Sequence, residues 1–267
     1  GEGVTENVVK NNIIGTDSKT ESKIPNNVGI LIKSGARFNT VGMPGSYGAN
    51  IISGNYHGVV VEDYQSNGNS IQYNFIGLNE LGNQPLGNNN NGVFIKNSRQ
   101  TTVSANVISG NLGNGIEISN DIPGIRGENI IQSNFIGLDI TGEIAVKNNK
   151  HGIYILGSSY NHIGVAGKPN IISGNELNGI FIENNLADLI SHHNFIMGNI
   201  IGTNLNSSNP IPNKTNGIRI QDSDNNTIGA VSAPNTISHN LNDGILLIGS
   251  SSNRIVANKI ESNSRYG

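Results

Sequence analysis

Few residues in this chain carry reactive chemistry, and they fall into four sets. Two carboxylates within reach of one point can act as acid and base on a sugar or share a divalent cation, and Glu183 and Asp222 are the candidate pair. Glu117 and Arg219 offer a carboxylate and a guanidinium, and Phe94, Tyr154 and Phe181 offer rings that stack on sugars or on another protein. His192-His193 presents two imidazoles. Asp17, Asn79, Asp139 and Asn204 recur at intervals of roughly 60 residues and could supply oxygen ligands to Ca²⁺. Cys is absent, which removes thiol nucleophiles, thiolate metal sites and disulfides. No Gly-rich phosphate loop, Ser-His-Asp set or basic-aromatic patch is present.

What positions these residues is a repeat. A run of Asn-x-Ile-Ser-Gly-Asn begins at Asn50, Asn106 and Asn170, and a variant with His in place of Gly begins at Asn235. Gly followed by β-branched alternation recurs at Gly29, Gly58, Gly92, Gly115, Gly152, Gly179, Gly217 and Gly244, at spacings of about 23 to 38 residues. Between these lie Asn-x-(Ile/Val) segments such as Asn69-Ser-Ile and Asn129-Ile-Ile. Each apolar run is three or four residues long, too short for a helix.

Composition agrees. In 267 residues only 35% are hydrophobic and 5% aromatic, while Gly reaches 35 and Asn about 47, which suits many short strands and many corners. Charged residues are 13% and the net charge is -3, which excludes the basic field of a nucleic-acid binder. No run of 18 apolar residues marks a membrane span, and no leader peptide opens the chain.

Each Gly interval therefore reads as one coil of a right-handed parallel β-helix, an all-β solenoid of about eight coils over 1–267, with inward Ile and Val stacked about 4.8 Å apart and corner Asn bonded from coil to coil. The residues preceding the strand Gly, among them His57 and His151, read as left-handed corner residues. Ile14-Gly-Thr-Asp17, Ile76-Gly-Leu-Asn79, Ile136-Gly-Leu-Asp139 and Ile201-Gly-Thr-Asn204 mark a two-coil superrepeat, each opening a polar loop. Asx-turn capping accounts for these Asp and Asn better than Ca²⁺ does. Shorter insertions occupy 41–50, 164–170 and 229–235; the second pair of coils has none, which predicts a gap. The chain starts and stops in mid-coil, and the expectation is a segment of a longer repeat protein or ends covered by flanking repeats or copies.

These motifs resemble the right-handed parallel β-helix repeat proteins secreted by bacteria or held at their surface, related in shape to pectate lyases. The resemblance implies a secreted or cell-surface bacterial location and a glycan or cell-surface protein as partner. The Asp-Pro-His-Glu run of alginate epimerases and the calcium nonapeptide are both absent.

The register puts Leu31, Val60, Phe94, Glu117, Tyr154, Phe181, Arg219 and Leu246 in one outward column. It is either an open docking strip or a face buried beneath the polar loops. Glu117 and Arg219 sit three coils apart, roughly 14 Å, too far to act on one atom. Adjacent His192 and His193 on an extended chain should point apart, which is poor geometry for one metal. The first functional expectation is a noncatalytic adhesin or stalk that binds glycan or protein. A polysaccharide lyase or hydrolase is the second and a self-assembling or phage-type fibre segment the third. No catalytic residue, cofactor or nucleic-acid partner is expected; Ca²⁺ is the one ion considered.

Overall fold

The computed structural model describes residues 3–185 and 191–267. Three parallel sheets of nine, nine and eight strands run the length of the molecule, and every neighbour within a sheet is the strand one coil earlier or later. The first sheet begins at Val8–Val9 and the second at Ile13–Ile14, and each coil then returns through the third, which begins at Val28–Ile32. The chain is a parallel β-helix of eight full coils, with two further strands, Arg254–Ile255 and Lys259–Glu261, starting a ninth. Among the described residues no helix is long and apolar enough to cross a membrane.

Inward side chains align as the repeat predicts. Ile116 pairs with Ile153 and Ile153 with Ile180, all fully buried, and the same stacking joins nearly all the core into one apolar column. The tube is narrow, so its corners lie within the buried interior and their polar groups must be satisfied there.

Asparagine does this at all three corners. Between the first and second sheets a ladder runs Asn12, Asn50, Asn74, Asn106, Asn134, Asn170, Asn199, Asn235, Asn258. In a typical rung Asn106 Oδ1 accepts the backbone N–H of Asn74 at 2.9 Å and its Nδ2 at 3.0 Å, while Asn74 Nδ2 also donates to Val41 O at 2.9 Å. A second ladder between the second and third sheets runs without a break from Asn26 to Asn263. The third, between the third and first sheets, is broken where Thr101 replaces asparagine: Thr101 Oγ1 is buried without a partner, and among the described residues no side-chain hydrogen bond links Asn69 to the coil above.

The repeated motifs now have causes. Ser53, Ser109 and Ser173 of the Ile-Ser-Gly-Asn runs donate to Leu78 O, Leu138 O and Thr203 O and accept from Gly77, Gly137 and Gly202 N, locking each loop-bearing coil to the one before. Gly77 is required twice over, with φ of 91° and Ser109 O only 2.3 Å from where a Cβ would stand.

The residues before the strand Gly correct the sequence expectation, because none of Val28, His57, Asn91, Asn114, His151, Asn178, Asn216 or Asp243 has positive φ. They are extended, and six of them form a further ladder of their own. Asn91 Oδ1 accepts from Asn114 N, Asn114 Oδ1 from His151 N, His151 Nδ1 from Asn178 N, Asn178 Oδ1 from Asn216 N and Asn216 Oδ1 from Asp243 N. Acceptor side chains, rather than left-handed tolerance, are what this position selects. The left-handed positions lie elsewhere, at Gly54, Gly110, Gly174 and His239 among others.

Candidate functional site

The outward column of the third sheet forms in the expected register. Phe94 pairs with Glu117, Glu117 with Tyr154, Tyr154 with Phe181 and Phe181 with Arg219. The alternative of a face buried beneath the long loops is not what the loops do. After Leu78 and Leu138 they fold back over the second sheet, where Leu78 and Val146 pack on Phe75, Val107 and Phe135, and Leu138 and Ile211 pack on Phe135, Ile171 and Ile200. Short hairpins hold them there, Leu78 bridging Pro85 and Leu138 bridging Ala145. Asp17, Asn79, Asp139 and Asn204 cap these hairpins, each side-chain Oδ1 accepting two loop N–H groups, as at Asp139 from Glu143 (3.2 Å) and Ile144 (3.1 Å).

Within the third-sheet strip Glu117, Tyr154 and the Arg219 terminal nitrogen are held by their neighbours, while Arg219 Nε and His57 Nδ1 are buried without a partner. Glu117 Oε2 accepts from Asn91 Nδ2 at 2.8 Å and Asn114 Nδ2 at 2.9 Å, so the carboxylate is fixed between the rings of Phe94 and Tyr154. The Tyr154 hydroxyl donates to Glu183 Oε1, and burial together with that carboxylate pushes its pKa up, keeping the phenol protonated. Tyr154 stacks on Phe181 at 5.4 Å, and the Arg219 guanidinium lies 5.0 Å from the Phe181 centroid while donating to Gln221 Oε1. Phe94, Glu117, Tyr154 and Arg219 are half-buried. Phe181 is not the open ring expected from sequence: at 8% exposure it is the floor beneath Tyr154, His151 and Arg219.

Two histidines expected at corners belong to this face instead. His57 stacks on Phe94 at 5.4 Å, and His151 packs against Tyr154 at 5.6 Å and Phe181 at 5.0 Å. Burial, reinforced by Arg219 and Lys150, lowers the His151 pKa to about 4, so the ring is neutral and its Nδ1 is free to accept in the ladder. Their place one residue before the strand Gly was visible in sequence; that an extended backbone there turns the ring onto the strip was not.

The two members of the candidate carboxylate pair lie on adjacent coils in different surroundings. Glu183 is engaged by Tyr154, whereas Asp222 sits exposed at a left-handed corner with φ of 49°, and no hydrogen bond or shared partner joins them among the described residues. Glu117 and Arg219 stay three strands apart in the register. The gap predicted for the second pair of coils lies over the second sheet: Met43, Tyr73, Phe75, Val107, Phe135 and Ile140 line a cavity of about 320 Å³ there.

The expectation for His192 and His193 is overturned. His193 has φ of 53°, so the two side chains do not alternate as on a strand, and their Nδ1 atoms converge to 2.6 Å. Tyr160 stacks flat on His193 at 5.1 Å and meets His192 edge-on at 5.4 Å, with the Arg126 guanidinium 4.4 Å from its centroid.

No family model matches the chain, and no curated protein matches it. Solved structures similar to it include the A-module of the mannuronan C-5 epimerase AlgE6 from Azotobacter vinelandii, 13% identical with a TM-score of 0.41 over 87% of this chain and 69% of that one. The A-module of AlgE4 from the same organism is 14% identical with a TM-score of 0.32 over 87% and 68%. The surface protein and adhesin PfbA of Streptococcus pneumoniae is 12% identical with a TM-score of 0.20 over 91% and 89%. At these values the likeness is one of coiled architecture, and the chemistry of this chain rests on its own residues.

Proposed function

We propose that this chain is a noncatalytic glycan-binding module of a secreted or cell-surface bacterial protein, with Phe94, Glu117, Tyr154 and Arg219 as its binding strip and Phe181 as the floor beneath it. The observation that carries this reading is the uncovered third-sheet face. An outward column of rings flanking an anchored carboxylate, with no loop over it among the described residues, suits sugar faces on the rings and sugar hydroxyls on Glu117 and Arg219. Preorganisation supports it too, since Glu117 is held by two amides and Tyr154 by Glu183, so little side-chain freedom is lost on binding.

Binding is favoured over turnover because the groups are committed elsewhere. The Tyr154 phenol is kept protonated, the His151 acceptor is used by Asn178, and Glu117 and Arg219 are too far apart to share a reacting atom. The test is a glycan array with wild type and Tyr154→Ala. Retention of an acidic or neutral polysaccharide by the wild type and its loss in the variant supports the reading. Release of unsaturated or shortened sugars from any bound polysaccharide overturns it in favour of an enzyme.

A further inference from the structure

We propose that the cleft lined by Arg37 and Arg99 binds a tetrahedral oxyanion, the sulfate or phosphate ester of a modified saccharide. The cleft lies at the corner between the third and first sheets, and the proposal does not rest on the third-sheet strip. Three coils build it. Arg37 follows strand Val28–Ile32, Tyr64, Gln65 and Asn67 follow His57–Glu62, and Arg99 follows Val93–Lys96, strands that are successive neighbours in the third sheet. The two arginines therefore stand two coils apart, roughly 9–10 Å by the strand spacing, across a cleft of about 210 Å³.

The cations are positioned but not neutralised. The Arg99 guanidinium lies over the Tyr64 ring, 4.3 Å from its centroid, which fixes a long side chain before anything binds. Stacking takes up the flat face of a guanidinium and leaves its in-plane N–H groups to donate. Arg99 is half-buried, and its Nε is buried without a partner. Among the described residues neither guanidinium donates a hydrogen bond to the protein or pairs with a carboxylate. Gly35, Tyr64, Gln65 and Asn67 complete the lining, so no acidic side chain forms part of it. Asp63, beside Tyr64, already accepts from the backbone N–H groups of Ser34, Gln65 and Ser66 and from the Ser66 hydroxyl, so its charge is shared locally. A charged donor kept out of water with no acceptor is costly, and an anion in the cleft offsets that cost.

The donor set chooses among anions. A planar carboxylate offers one in-plane edge to a bidentate fork, so a second guanidinium arriving from two coils away finds no equivalent edge. A sulfate or phosphate ester presents three terminal oxygens in a tetrahedron, enough for both forks and for an amide N–H of Gln65 or Asn67 besides. The exposed Tyr64 ring at the same cleft offers an apolar face to the sugar that carries the ester. Sulfate and phosphate esters share this geometry and differ in charge, so the cleft takes either and the stronger ligand is a matter of measurement.

The test follows the arginine Nε–Hε signals of the isotopically labelled protein by nuclear magnetic resonance during titration with glucose-6-sulfate, glucose-6-phosphate, glucuronate and glucose. The expected result is movement of the Arg37 and Arg99 signals with both esters and none with glucose. Glucuronate, which matches the sulfate ester in ring and charge but ends in a planar carboxylate, should bind more weakly by about fivefold or more. The order of the two esters identifies the source of the oxyanion. Arg37→Gln and Arg99→Gln should each weaken ester binding by about tenfold or more. Arg37 is exposed, so its replacement leaves the fold intact, and Lys168→Gln, at an exposed cation on another loop, should change nothing. Arg37 and Arg99 signals that stay still in the wild type overturn the proposal without reference to any variant. So does glucuronate binding as tightly as glucose-6-sulfate, affinity unchanged in either arginine variant, or an equal loss in Lys168→Gln.

Discussion

The second and third sheets present the same kind of outward column and meet opposite fates. Phe75, Val107, Phe135, Ile171 and Ile200 on one, and Phe94, Tyr154 and Phe181 on the other, are apolar side chains aimed away from the same core. On the second sheet, Leu78, Leu138, Val146 and Ile211 return from the long loops and close over the column. On the third, the column is left to its own devices: rings stack along the fibre axis, carboxylates are tied by Asn91, Asn114 and Tyr154, and Arg219 lies over Phe181. What differs is the direction of the hairpin after the corner, set by Leu78 bridging Pro85 and by the Asp or Asn that caps the turn. Apolar character alone does not distinguish a core layer from a binding face; the cover does.

The sharpest way to break this contrast is to truncate one residue on each face. Leu138 is fully buried, and Leu138→Ala should destabilise by about 2–4 kcal/mol in chemical denaturation, because a cavity replaces the cover. Tyr154→Ala should cost well under half of that, since the ring is half-exposed. Equal losses would mean that the third-sheet strip is structural.

The second effect is a pH dependence whose largest histidine contribution sits on the third sheet, at His151. With its pKa lowered to about 4 from 6.5, His151 stays neutral in the folded chain while the unfolded chain takes up a proton. Its contribution to stability is therefore intact above pH 6.5, falls as pH drops from 6.5 to 4, and levels off below. The loss is at most about 3 kcal/mol. Asparagine occupies the equivalent ladder position at Asn114 and Asn178, so His151→Asn should keep the ladder and reduce the slope of the stability profile between pH 6.5 and 4, leaving the smaller contributions of His57, His162 and His192. A variant with an unchanged profile would remove the ring from its assigned place.

A smaller effect tests the corner that flanks the strip. Thr101→Asn supplies the acceptor missing between Asn69 and Asn129 and should raise stability by about 1 kcal/mol, read from the denaturation midpoint. A loss would mean that the corner at Thr101 cannot seat the longer side chain.

The coil architecture was legible in the sequence because periodicity reports it directly: Ile116, Ile153 and Ile180 had to align once the Gly repeat was recognised, and the outward column followed from alternation. The asparagine ladders were legible for the same reason. The missed features depend on backbone torsion or on a side chain's reach beyond its own coil. Residue type alone made His57 and His151 look like corners, whereas their extended backbone lays them on the strip. The one left-handed residue that matters most, His193, reversed the expectation for its neighbour. Loop direction was equally hidden, because a polar loop after Asn79 can lean either way until Leu78 and Pro85 are placed.

The most direct measurement of the central claim compares glycan retention by wild type, Tyr154→Ala on the open face and Tyr73→Ala beside the second-sheet cavity. Retention by the wild type and by Tyr73→Ala, with loss in a folded Tyr154→Ala, is the expected result. Loss in Tyr73→Ala with retention in Tyr154→Ala, or no retention of any glycan by the wild type, would contradict it.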